Sequence, residues 1–291
     1  MQDKADTLTF DSEIKPDLVN VDGDKVLLVK KTDNKSLDQF VFQYFNAPLY
    51  VDRTEAITAA TKQQDDKGAQ KILIAALHDK YYRLQLKAIK ALDMKNDAIR
   101  NAALPILASL AQTDPNTLVQ AAAIEALGKL KASGNMDIFT AALKSRSYAV
   151  QGAALTAISE LDGPKALKLA HAFEADNMDD LTTAMVGVYA TNGGAAEWPF
   201  VYKQYHEAHI QMKFNLTRKF AAMTAHVDNS SDAQQGILEL KAAAIQYKMY
   251  GADQFVIGLL NGEVKPGRTA LHDDASVALI DKTVKEIQDA K

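Results

Sequence analysis

Cysteine is absent from the 291 residues of this chain. That excludes disulfides, thiolate catalysis and Cys-ligated zinc, and it leaves the compartment open. Long apolar runs are absent too. The longest, such as Ala102-Ala103-Leu104-Pro105-Ile106-Leu107-Ala108, fall far short of the roughly 20 residues that a membrane span needs. Residues 1–20 are too polar for a signal peptide. Either the protein is not exported or the chain lacks its natural N-terminus. The formal net charge is only -4. Lys and Arg are scattered among Asp and Glu with no basic stripe, so no nucleic-acid partner is expected. Gly-x-Ser-x-Gly is missing, and Asn192-Gly193-Gly194 lacks the Lys-Ser/Thr of a phosphate cradle.

What is present is a recurring helical motif. Five segments align, the first four by their alanines: Ala56-Ile57-Thr58-Ala59-Ala60, Ala88-Ile89-Lys90-Ala91-Leu92, Ala123-Ile124-Glu125-Ala126-Leu127, Ala154-Leu155-Thr156-Ala157-Ile158 and Met185-Val186-Gly187-Val188-Tyr189. A period of about 30 to 35 residues is the mark of stacked helix pairs. One pair cannot bury its apolar face alone, whereas several form a continuous core. The expected fold is all-α: a HEAT/ARM-like α-α superhelix, a right-handed curved array of antiparallel pairs. The second helices of the pairs are expected near 69–78, 98–111, 137–144, 164–174 and 195–212. Pro, Gly, Asn and Asp punctuate the sequence between them, as at Thr113-Asp114-Pro115-Asn116 and Asp162-Gly163-Pro164. Past residue 212 the repeat fades into further helices near 214–226, 232–250, 252–261 and 273–290.

The start differs. Leu18-Val19-Asn20-Val21, Asp22-Gly23-Asp24 and Lys25-Val26-Leu27-Leu28-Val29-Lys30 read as strand, turn and strand, and Thr7 to Phe10 as a possible further strand. Ser36 is the expected N-cap of a helix from Leu37, and Asp52 that of the first repeat helix. Three regions result: 1–35, a β-hairpin remnant with a connector; 36–212, the repeats; and 213–291, atypical helices that cap the array.

The stretch Lys15-Pro16-Asp17-Leu18-Val19-Asn20-Val21-Asp22-Gly23-Asp24-Lys25-Val26-Leu27-Leu28 carries a resemblance. So does Asp38-Gln39-Phe40-Val41-Phe42-Gln43-Tyr44-Phe45-Asn46-Ala47-Pro48, running on through Asp52-Arg53-Thr54-Glu55-Ala56-Ile57. Together they resemble the passage from the small β domain to the C-terminal helical domain in bacterial zinc aminopeptidases of the M1 family. The resemblance implies a non-catalytic domain that covers the cleft of an enzyme removing N-terminal residues from peptides. It implies intramolecular catalytic and β domains and a peptide substrate as partners, in cytoplasm or periplasm. It places the zinc cofactor in the catalytic domain and none in this chain. The departure is plain: neither His-Glu-x-x-His nor Gly-x-Met-Glu-Asn occurs here, so the chain alone is expected to be inactive. A free-standing HEAT-type scaffold for a protein or peptide is the alternative.

Candidate site residues are few. His206-Glu207-Ala208-His209 is the nearest approach to a metal motif, but its spacing is wrong and a catalytic zinc wants three protein ligands. No catalytic or metal residue is assigned. The expected 195–212 helix carries Trp198, Tyr202, Tyr205, His209 and Met212 in one stripe. Packing against a neighbouring helix is the simpler reading. The functional reading is a cleft-facing surface formed by Trp198, Tyr202, Tyr205 and His206. The acidic pairs Asp65-Asp66, Asp179-Asp180 and Asp273-Asp274 read as helix-terminal residues favoured by the helix dipole.

Overall fold

The computed structural model describes residues 7, 9, 11–28, 30–32, 34–175 and 178–290. The described residues form helices and no strand. They divide into two compact units, 1–106 and 107–291.

The first unit contains α1 (Leu37–Asn46), α2 (Tyr50–Thr61), α3 (Lys67–Ala76) and α4 (Tyr82–Ala91). The boundary falls inside α5 (Asp97–Thr113). Ser36 caps α1 as expected: its side chain accepts from the Gln39 N–H while the Gln39 side chain reaches back, which satisfies two orphan donors at once. Pro48 follows the end of α1, where its ring and missing N–H stop a helix. Asp66 caps α3 through the Gly68 N–H at 2.6 Å. Helix α2 packs on α1, α3 and α4. It does so through Ala56, Ile57 and Ala60, none of which is exposed.

The N-terminal segment departs from expectation. A turn forms at 21–24, closed by the Lys25 N–H on the Asp22 carbonyl at 3.0 Å, but no hairpin follows it among the described residues. Val29 lies outside them, as do Leu8 and Phe10 of the further expected strand. Instead the Asp22 carboxylate accepts the Val26 and Leu27 N–H groups. Those donors are thereby lost to a strand ladder, and Val19, Val21, Val26 and Leu28 are exposed. A two-stranded hairpin with no apolar partner is marginal in water. Asp52 is likewise not a cap. It sits inside α2 with only 1 % of its surface exposed, and it accepts the Asn20 side-chain amide at 2.9 Å and the Lys25 ammonium at 2.7 Å. The cap position belongs to Leu49, which offers no side-chain bond.

The second unit continues with α6 (Thr117–Gly128), α7 (Met136–Ala142), α8 (Tyr148–Leu161), α9 (Gly163–His171), α10 (Asp179–Asn192), α11 (Trp198–His206) and α12 (Ile210–His226). Then come α13 (Ser230–Gln246), α14 (Ala252–Leu259), a π-helical turn at Leu260–Val264, α15 (Lys265–Ala270) and α16 (Asp274–Asp289). Here α8 packs on α6, α10 on α8 and α12 on α10, while α9 and α11 each pack against the helices on either side. That is the stacking of helix pairs, and the five motifs lie on α2, α4, α6, α8 and α10.

Small residues set how closely the stacked helices approach. A Cβ on Gly128 would lie 2.7 Å from the Ala157 Cβ, and one on Gly152 would lie 2.6 Å from the Asp180 carbonyl oxygen. Between these contacts Ile124, Leu127, Leu155 and Ile158 are fully buried or nearly so, each worth about 1.5–3 kcal/mol of transfer free energy. Asn116 and Asp162 cap α6 and α9 as their residue types suggest. Gly193 ends α10 in an extended rather than a left-handed conformation.

Candidate functional site

Helix α11 begins with Pro199 next to Trp198, so the missing proline N–H falls in the first turn where it needs no partner. It ends at His206, short of the expected 212. Glu207 and Ala208 break the helix, and His209 precedes α12 with extended backbone. The aromatic stripe is therefore not on one helix. His206 closes α11 and His209 opens α12, so the pair does not share the helix face that its spacing suggested. Among the described residues no three His, Asp or Glu side chains gather as a metal site.

The four candidate residues separate by burial. Tyr205 has none of its surface exposed and Trp198 only 3 %. Tyr205 stacks on Phe220 of α12 with ring centroids 4.1 Å apart, and Trp198 stacks on the same ring at 5.5 Å. The Tyr205 hydroxyl meets the Thr217 hydroxyl at 3.2 Å. Burial pushes that phenol up to about 12; Thr217 opposes the shift and the Glu239 charge adds to it. These two residues are core, as the packing reading had it. Tyr202 is half-buried and His206 exposed. Their rings stack at 5.5 Å and 12°. Of the four candidates, this pair is the part that meets solvent.

Polar partners fix His206, on which the Tyr202 ring stacks, from behind. Glu239 on α13 meets His206 Nδ1 at 3.1 Å and the Lys213 ammonium at 3.2 Å. Lys213 also donates to the His206 carbonyl at 3.2 Å and lies over the Tyr205 ring at 4.9 Å. Lys213 is buried, and its charge is balanced by Glu239 and the ring face. Sequence reasoning missed both Lys213 and Glu239, because nothing in their local pattern marks a long-range ion pair. With Lys213 sharing the Glu239 carboxylate, the cluster orients an imidazole and a phenol ring at a surface. Such a surface can bind and shape. Beside it, Phe214, Tyr247, Phe255 and Val256 with Lys213 line a small pocket with room for about one water molecule.

A second polar cluster joins α9, α10 and the start of α11. The buried Tyr189 hydroxyl donates to Glu174 at 2.5 Å, and His171 bridges Glu174 at 2.9 Å and Glu197 at 3.1 Å. Burial, then the bond to Glu174, holds the Tyr189 phenol well above its usual range. Glu197 in turn accepts the Gly194 N–H at 2.7 Å. The cluster ties the loops between three helices together.

The acidic pairs serve helix ends. Asp66 and Asp273 are N-caps, and Asp179 and Asp180 occupy the first turn of α10. No helix of the described residues is long and apolar enough to cross a membrane.

No curated protein matches this chain. A family model for HEAT repeats matches residues 39–128 and 104–186, together just over half of the chain. The matches cover the motifs on α2, α4, α6 and α8 and reach into the one on α10; the α11 surface lies beyond them. Stacked helix pairs, a recurring small-and-large apolar motif and this match agree, and the chain belongs to the HEAT-repeat family.

Proposed function

We propose that this HEAT-repeat scaffold is the non-catalytic helical portion of a longer zinc aminopeptidase of the M1 type, where it covers the active-site cleft and limits which peptides enter. The observation that supports the reading is the pair of stretches from Lys15 to Leu28 and from Asp38 to Ile57, which resemble that family's junction between β and helical domains. The division into 1–35, 36–212 and 213–291 belongs to the same reading. So do the partners: catalytic and β domains of the same polypeptide, and the peptide itself. Zinc would be held by the catalytic part, through ligands that this chain does not supply. In this reading Tyr202 and His206 face the peptide, while Trp198 and Tyr205 hold α11 in place beneath them.

A free-standing scaffold that grips a protein or peptide is the second reading, and the repeats favour it equally. One experiment separates the two. The native polypeptide is captured with an antibody raised against residues 36–291 and assayed for aminoacyl-arylamide cleavage, zinc content and tryptic peptides. The first reading expects zinc-dependent cleavage and peptides bearing His-Glu-x-x-His on the same polypeptide. A captured polypeptide that lacks that motif and cleaves nothing contradicts it and leaves the scaffold alone.

A further inference from the structure

The α4 helix carries a feature that neither reading uses. Between Asp79 and Asp93 every charged residue is cationic: Lys80, Arg83, Lys87 and Lys90. Arg83, Lys87 and Lys90 follow one another at steps of four and three, which places them on one helix face, and Lys80 lies just before the helix starts. Lys80, Arg83 and Lys90 are exposed and Lys87 is half-exposed. Like charges at such spacing repel, so the stripe works against the helix that bears it. Among the described residues no carboxylate pairs with any of the four. Some other cations of the same unit are neutralised, such as Lys25 by Asp52, Lys31 by Glu55, Arg53 by Asp79 and Arg100 by Asp97.

Aromatic rings border the N-terminal end of the stripe. Tyr81 and Tyr50 are both exposed and meet edge to face at 5.9 Å. Arg53 lies over the Tyr81 ring at 5.0 Å and Lys80 at 5.1 Å. Arg83 donates to the Tyr82 hydroxyl at 3.1 Å. The tyrosines thus hold the neighbouring cations in place without cancelling their charge.

We propose that the exposed face of α4, with Tyr50 and Tyr81 at its end, is a docking surface for an acidic segment of a partner protein. Charge complementarity selects the occupant: unpaired cations along a face about 15 Å long match a short run of carboxylates. Nucleic acid fits less well. The chain as a whole is negative at -4, and the Tyr81 ring already has cations over it where a base would stack. This inference stands apart from the peptidase reading, since it concerns a different helix and a different ligand.

The test is fluorescence anisotropy on the full chain at physiological ionic strength, with a fluorescein-labelled peptide of repeated Glu-Glu-Leu units. Two variants are compared, each checked for native circular dichroism. One is Arg83→Gln, Lys87→Gln and Lys90→Gln, which keeps good helix formers. The other removes the same charge elsewhere, by Lys129→Gln, Lys168→Gln and Lys285→Gln. The expected result is saturable binding by the wild type, unchanged in the second variant and weakened about tenfold or more in the first. No binding by the wild type, or equal loss in both variants, overturns the proposal. So does an oligothymidylate that binds more tightly than the peptide through the same three residues, since the surface would then be a nucleic-acid site.

Discussion

Tyr205 lies flat on Phe220, with ring centroids 4.1 Å apart and planes 6° from parallel. The contact locks α11 onto α12 across the break at Glu207 and Ala208. Phe220→Ala removes a fully buried ring that also carries Trp198, so a loss of about 3–5 kcal/mol is expected. Tyr202→Ala, at a half-buried ring, should lose about 1 kcal/mol, near the average for a point mutation. Urea denaturation measures both. Equal losses would mean that the two rings do not differ in burial as described.

Close helix approach makes a sharp comparison of two glycines. Gly152→Ala drives a methyl into the Asp180 carbonyl, whereas a Cβ at Gly194 meets nothing within 4 Å. The first should lose about 1–3 kcal/mol through overpacking. The second should be neutral or gain about 0.4–1 kcal/mol from a less flexible unfolded chain. Thermal unfolding of the two single variants checks the order.

Arg268 has 1 % of its surface exposed and holds Asp273, through Nε at 3.0 Å and a second bond from its guanidinium, along with the Val227 carbonyl. Burial alone would raise the Asp273 carboxyl. Hydrogen bonds from Ser276, Arg268 and Ser230 outweigh burial and hold it well below the usual carboxylate range. A carboxylate depressed in the folded state adds stability above its unfolded value, and that stability is lost as pH falls below about 4. Wild-type stability should therefore drop on acidification through this window, and Asp273→Asn should flatten the drop while lowering stability at neutral pH. Arg268→Ala strands the carboxylate and should lose about 3–5 kcal/mol. Denaturation midpoints from pH 7 to pH 2 read both effects.

Asp52 ties down the N-terminal segment through Asn20 and Lys25. Asp52→Ala should release residues 18–28 to proteolysis while leaving the helices of the first unit folded. Limited digestion, with fragments identified by mass, should show faster cleavage in that segment. Unchanged cleavage would show that the anchor is not Asp52.

The repeats were legible because their signal is local. An alanine next to a large apolar residue, recurring about every thirty residues, marks where stacked helices touch. In each of the five motifs the first two residues, from Ala56-Ile57 to Met185-Val186, are buried. The cap at Ser36 was legible for the same reason. What escaped was set by contacts distant in sequence. The break after His206 depends on how α11 and α12 turn around Phe220, and helix periodicity ran straight through it. Asp52 looked like a cap because its residue type suits one; its partners lie some thirty residues upstream. The hairpin was read from alternation alone, without a sheet to complete it. The α4 stripe was hidden by even charge composition, since its carboxylate neighbours in sequence, Asp79 and Asp93, engage other groups.

The most direct measurement of the central claim is peptide hydrolysis by the captured native polypeptide, with Tyr202→Ala and His206→Ala introduced together. If the α11 surface shapes the cleft without doing chemistry, KM should rise for long peptides and stay level for dipeptides, with kcat nearly unchanged, because the lost contacts are made equally in ground and transition states. An unchanged kcat/KM at every peptide length would contradict the account, and so would a fall in kcat with KM constant.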